Sequence, residues 1–304
     1  MSTNAPSRTP DPSQEAGISW LSTLPFVGLH VMCLAVFWVG WSPIALIVCA
    51  ALYWARMFAI TGFYHRYLSH RSYKTSRWFQ FLFAVLGNSS TQKGPLWWAA
   101  HHRHHHQYSG LEGDVHSPTK RGFIYSHVGW IFDRANTRTR TRLVPDLAKF
   151  PELRALDRFD VLIPILLGTA CFGLGVLLQT EVPSIGTSGM QMLVWGFFVS
   201  TVLLAHSTFT INSLSHLLGR RRFETTDTSK NNFGLALLTM GEGWHNNHHF
   251  YPTSTRQGFY WWEIDFTYYG LFVLSKLGLI WDLKRVPAHI LAQGRLSAEE
   301  RAAA

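Results

Sequence analysis

Four apolar stretches limit what this 304-residue chain can fold into more than any other feature. They run from about Leu24 to Val39, from about Ile44 to Phe63, over 161–180 ("VLIPILLGTACFGLGVLLQT") and over roughly 189–211. A bilayer-spanning helix needs about 20 mostly apolar residues. The first stretch is marginal by that measure and the other three fit. "GWSP" at 40–43 makes a tight turn between the first two, so two helical hairpins are the simplest arrangement. Composition agrees. Charged residues are 15% of the chain, against about 25% in an average soluble domain. The 13 tryptophans suit the belts that form where a bilayer meets water. The expected fold is an all-α integral membrane protein of four transmembrane helices with a helical cap.

Charge orients it. The turns 40–43 and 181–188 carry no Lys or Arg, whereas 64–160 and the stretch from 212 onward carry nearly all of them. By the positive-inside rule those two regions, and both termini, are cytoplasmic. The formal charge of +9 and the "TRTRTR" run at 137–142 then follow from topology. The same basic face would also attract an acidic redox partner or a polyphosphate-bearing substrate. Nothing points to nucleic acid. Two weaker apolar stretches, Trp78 to Gly87 and 264–283, are expected to lie at the interface rather than to cross. Residues 1–20 read as a disordered tail without signal-peptide features, 21–290 as the membrane domain, and 291–304 as a C-terminal tail. Cys33, Cys49 and Cys171 lie in apolar stretches without partner spacing, which suits packing rather than a disulfide or thiolate site.

The chemistry lies in the histidines. Eleven of the 16 fall in four places: "HRYLSH" (His65, His70), "HHRHHH" at 101–106, "NSLSH" ending in His216, and "HNNHH" (His245, His248, His249). A topology assigned from Lys and Arg alone puts all four on one face, close to membrane exits. Two of them contain H-x-x-H-H, whose i, i+3, i+4 spacing aims three imidazoles one way on a helix. In "HRYLSH" the spacing is i, i+5, far off one face at about 100° per residue. That pair can share a centre only by side-chain rotation or at a helix end. So much nitrogen exceeds one tetrahedral zinc and suits two metals of higher coordination. Imidazole alone does not choose among Fe, Zn, Cu and Ni.

H-x-x-x-x-H followed by two H-x-x-H-H boxes, interleaved with two hairpins, resembles the membrane-bound acyl desaturases. "GPLWWAAHHRHHHQYS", "DVHSP", "RGFIYSHVGW", "NSLSH" and "GEGWHNNHH" resemble the stearoyl-type, acyl-CoA Δ9 branch, over roughly 24–290. The resemblance implies a diiron centre of two non-haem Fe2+ ions. Its ligands would be His65 and His70, then His102, His105 and His106, then His216 with Asn212 through a water, then His245, His248 and His249. The second box admits two registers. Aligning Trp98 and Arg103 gives the set just named, and His101 with His104 is the alternative. Tyr53 matches the bulky residue that closes the acyl tunnel in this branch, and Trp98 a tunnel-lining one; plain packing is the competing reading for both. Asp114, His116 and His206 are candidates for orienting ligand imidazoles. His30, costly in lipid, is expected to be satisfied by a neighbouring helix.

The reaction implied is insertion of a cis double bond, at Δ9, into a long-chain saturated acyl thioester (acyl-CoA, with an acyl lipid as the alternative), with O2 and two electrons. The chain has no dinucleotide fingerprint, no iron–sulfur cysteine spacing and no haem-binding "HPGG" stretch. A separate ferredoxin or b-type cytochrome with its reductase is therefore implied. Short tails fit the cytoplasmic face of a bacterial inner membrane. Two other readings remain open from sequence: hydroxylation of an alkyl or acyl chain on the same scaffold, and a non-enzymatic metal-handling protein.

Overall fold

The computed structural model describes residues 17–303, with side chains for 17–295. Most of the expected N-terminal tail, 1–16, lies outside the described residues. Among the described residues four helices are long and apolar enough to cross a membrane: Trp20–Val39, Pro43–Ser69, Leu162–Glu181 and Gly189–Leu217. The second and fourth run past their apolar stretches, as far as the first histidine pair and His216. Both continue because their polar ends are buried in the cap rather than released to solvent.

Each hairpin is closed by local chemistry. Gly40 takes φ 66°, open mainly to glycine. Ser42 then caps the second span, its Oγ accepting from the Ala45 amide at 3.2 Å, with Pro43 at the first helical position, where a missing N–H costs nothing. The two turns touch: Ser42 Oγ donates to Thr187 Oγ1 at 2.9 Å, and Gln191 Nε2 donates to the Val39 carbonyl at 2.8 Å. Third and fourth spans approach closely at Gly175, where a Cβ would lie 2.6 Å from the Ser188 carbonyl oxygen. Arg56, fully buried in the second span, is satisfied by Ser200 Oγ at 2.6 Å, Thr201 Oγ1 at 2.8 Å and the carbonyls of Leu52 and Ser89. A charge at that depth persists only when so paired.

The cap is built between the hairpins and after the fourth span. The two interfacial segments fold as helices Arg77–Asn88 and Phe266–Lys276. Both are too short to span. Thr267 and Leu271 pack on Gly62 of the second span, and Phe83 stacks on Phe63 with ring centroids 3.7 Å apart. A two-stranded antiparallel ribbon, Lys74–Thr75 with Ile280–Trp281, ties the segment after the first histidine pair to the C-terminal part. One apolar core, including Phe63, Tyr64, Leu96, Leu147, Leu153 and Leu271, joins the spans to the cap. The C-terminal segment 288–303 is helical.

Candidate metal centre

The second span changes its winding before it ends. Ala59–Ser69 is a π-helix, and the His70 amide donates to the His65 carbonyl at 3.2 Å, an i→i+5 bond. In that wider winding the fifth residue on returns toward the same face, where an α-helix would carry it about 140° away. The two rings stand 4.9 Å apart by centroid. The i, i+5 spacing that fails on an α-helix therefore succeeds here, by backbone geometry and not by side-chain rotation.

The second box lies on the helix Pro95–Tyr108. Arg103 fastens it to the end of the π-helix, donating to the carbonyls of Leu68 (2.7 Å) and Ser69 (3.1 Å) and to Asp146 at 2.7 Å. The third box is the short helix His245–Phe250. Its asparagines hold it in place. Asn246 accepts from the Arg222 and Phe223 amides at 2.7 and 2.8 Å, and Asn247 donates to Glu263 at 2.9 Å.

These elements bring the nine histidines into two groups. His65, His70, His102, His106 and His248 form one; His105, His216, His245 and His249 form the other. Within each group the donor atoms lie within 4.8 Å of one another. The Nε2 atoms converge: His65 to His248 at 3.0 Å, His70 to His102 at 2.8 Å, His106 to His248 at 3.0 Å and His216 to His245 at 3.1 Å. His105 Nε2 and His249 Nε2 are buried without a hydrogen-bond partner, a state that a metal ion would relieve.

The Nδ1 atoms of His65, His105, His248 and His249 face fixed partners, whereas His245 Nδ1 is buried without one. Glu242 meets His65 at 2.5 Å, Asp114 meets His105 at 2.8 Å, and Asp227 meets His249. Gln257 Nε2 lies 3.2 Å from His65 Nδ1 and 3.4 Å from His248 Nδ1. The three carboxylates accept from Nδ1–H, which fixes the tautomer and leaves Nε2 free to bind a metal. Burial pushes His70, His102, His106, His245 and His248 well below the ordinary imidazole range, and neighbouring histidines add to the effect. The rings are thus held neutral, as ligation requires. Burial alone would raise Asp114 and Glu242. The facing imidazoles, with Arg66 beside Glu242, outweigh it and keep both carboxylates ionised.

His101 and His104 stand outside both groups. His101 packs on Trp97 and bonds its carbonyl at 2.9 Å; His104 Nε2 meets the Gly113 carbonyl at 3.1 Å. Asn212 belongs to neither group but lines the adjoining cavity. His116 lies against His105, ring centroids 4.2 Å apart. His206 is not beside the groups: its Nε2 meets His30 Nε2 at 2.9 Å and its Nδ1 meets His127 Nε2 at 3.0 Å. It satisfies the lipid-depth histidine of the first span instead. Glu242, Asp227 and Gln257 were missed by motif reading. Glu242 was within reach, three residues before His245 in "GEGWHNNHH".

A cavity of about 890 Å³ opens beside the histidines. His65, His102, His105 and His245 stand at one end; Met57 and Thr201 lie along it, and Gly168, Phe172, Leu193 and Phe197 line its depths between the spans. Trp98 lines it too and stacks on His102, centroids 5.1 Å apart and planes 20° apart. Tyr53 does not line it. Its ring packs behind Met57 with Leu204, and its hydroxyl donates to the Leu238 carbonyl at 2.7 Å. On a helix, a residue four positions on from Tyr53 takes the same face, and Met57 is the one that reaches the wall.

A family model described as fatty acid desaturase matches residues 37–273. The chain belongs to the fatty acid desaturase family. It is 35% identical over 277 residues to an sn-1 stearoyl-lipid 9-desaturase of Anabaena variabilis, covering 90% of this chain and 96% of that one. It is 38% identical over 272 residues to an acyl-CoA 5-desaturase of Anemone leveillei, covering 86% and 78%. It is 40% identical over 255 residues to Delta-9 acyl-lipid desaturase 2 of Arabidopsis thaliana, covering 83% and 78%. This desaturase is therefore an oxidoreductase acting on fatty acyl chains. Its apolar cavity forms a slot beside two histidine groups that could hold metal ions.

Proposed function

We propose that this desaturase inserts a cis double bond, at the Δ9 position, into a long-chain saturated acyl thioester. The observation that carries the reading is the apolar cavity ending on two groups of converging histidines. Iron fits the donor set: all nitrogen, no thiolate, and four or five imidazoles per group where zinc would take four ligands in all. His65, His70, His102, His106 and His248 would hold one iron, and His105, His216, His245 and His249 the other, with Asn212 reached through a water. When bound, the iron pair supplies the oxidant, made from O2 and two electrons, that unactivated methylenes require.

The chain's own residues do the rest. Met57, Gly168 and Phe197 exclude water and fix how far the acyl chain enters. Trp98 braces the His102 ring. Glu242, Asp114 and Asp227 hold imidazoles in one orientation. Electrons come from a separate ferredoxin or b-type cytochrome with its reductase. One membrane-embedded domain over 21–290 carries all of this, with the cap and both termini on the cytoplasmic face of a bacterial inner membrane. An alkyl hydroxylase would share the metal centre, but the desaturase names of the relatives support the double bond. A metal-handling protein has no use for a deep apolar slot.

The test is the fatty-acid profile, by gas chromatography with mass spectrometry, of cells making the protein or its His248→Ala variant. A new monounsaturated acid only with the intact protein is expected, with fragments giving the Δ9 position. A hydroxylated product, or no change with iron bound and a donor supplied, would overturn the reading. Stearoyl-CoA supplied to the purified enzyme, against the same acyl group on a phospholipid, reads the carrier.

A further inference from the structure

A second cavity, about 320 Å³, lies where the Phe266–Lys276 helix meets the segment 283–291. None of its lining residues is shared with the acyl slot. Four of them are cationic, Arg256, Lys276, Lys284 and Arg285, and none is Asp or Glu. Arg256 Nη2 donates to the Tyr260 carbonyl at 2.7 Å, while its Nε is buried without a hydrogen-bond partner. A buried guanidinium N–H left open is costly, and a cluster of like charges repels itself unless an anion sits among them.

The flank of this cavity is apolar. Phe272 lines it, and Phe272, Val273 and Leu277 are 45%, 55% and 66% exposed on a helix that packs on the second span. Cations in a recess beside an apolar, exposed flank match a phosphate carried by acyl chains. We propose that this recess binds the headgroup phosphate of an anionic phospholipid. The phosphate would accept from Arg256 Nε–H, Lys284 and Arg285, and the acyl chains would lie along the exposed face of the helix.

The site is joined to the metal centre through backbone. The Thr255 amide donates to the Lys284 carbonyl at 2.9 Å, and the Lys284 amide to the Ser72 carbonyl at 2.9 Å. Thr255 Oγ1 also donates to Ser72, at 2.7 Å. Arg256 itself precedes Gln257, which faces His65 and His248. A bound phosphate would therefore steady the segment that carries Gln257, and should raise the stability of the whole protein by mass action.

The test uses the purified full chain in neutral detergent and does not depend on its activity. Phosphatidylglycerol, phosphatidylcholine and inorganic phosphate are each titrated while the unfolding midpoint is followed. The same is done for the variant K276Q/K284Q/R285Q and for the single variant R285Q. Phosphatidylglycerol should raise the midpoint and phosphatidylcholine should not. Apparent affinity should fall about fivefold for the single variant and on the order of a hundredfold for the triple one. An equal response to inorganic phosphate would overturn the lipid assignment. An undiminished phosphatidylglycerol response in both variants would overturn the site. If the triple variant does not fold, the single one decides.

Discussion

Glu242 holds His65 from behind: its Oε2 lies 2.5 Å from His65 Nδ1, while its Oε1 takes the Arg66 guanidinium at 3.0 Å. One carboxylate thus orients a metal-facing imidazole and neutralises a buried cation next to it in sequence. Asp265 shares Arg66, at 3.0 Å. Glu242→Gln keeps the shape and removes the charge. Bound iron and desaturation rate should fall about 10–100-fold, and the apoprotein should lose stability because Arg66 keeps only one carboxylate. Metal content by mass spectrometry and a turnover assay check both. Full iron with full turnover would show that the carboxylate orients nothing.

The second box offers a sharper contrast. His102→Phe removes a member of the five-histidine group and should lower bound iron well below two per chain. His101→Phe, one residue away, removes only a bond to the Trp97 carbonyl. It should keep the iron and cost about 1 kcal/mol of stability. Equal metal loss in both would reverse the register.

Chain length should respond to Gly168 and not to Tyr53. A Cβ on Gly168 already lies 3.4 Å from the Phe197 ring, so Gly168→Leu fills the deep end of the slot. Products should shift toward shorter acyl chains in gas chromatography. Tyr53→Phe loses one hydrogen bond, about 1 kcal/mol, and should leave the chain-length profile alone. The opposite pattern would move the end of the slot to Tyr53.

The buried imidazoles give the metal-free protein an acid-sensitive stability. Folded His70, His102, His106 and His248 sit below the ordinary value of 6.5. Below about pH 6.5 the unfolded chain therefore binds more protons than the folded one, and stability falls as pH drops. Above that pH both states are neutral there and this contribution is complete. Unfolding midpoints of the apoprotein between about pH 5 and 8 should rise and then level off. Iron affinity should follow the same direction, since protons compete for the same nitrogens. A midpoint that rises on acidification would contradict the burial.

Spans and histidine boxes were legible because each is a one-dimensional pattern: apolar length for one, i, i+3, i+4 spacing for the other. What sequence could not supply was the partner across the fold. Asp227 is an ordinary residue in "TTDTS" until the chain carries it to His249. Gln257 becomes a neighbour of His65 only when the segment after the third box returns. In sequence His206 reads as a companion of the metal site because it lies on the fourth span near that site. On the helix it points instead to His30 and His127, where a lipid-depth imidazole needed a partner. Tyr53 and Met57 share a face, and only packing against Leu204 decides which of them touches the slot.

The π-winding of Ala59–Ser69 turns spacing into a counting problem. His70 follows His65 by five positions, and only a widened turn brings both rings to one side together. Point substitutions along that turn leave the count intact. Insertion of a single residue between the two histidines would set them six apart, off one face in either winding. Every histidine would still be present in the chain, and the five-membered group would still lose a member. This short stretch should therefore tolerate changes of letter far better than changes of length.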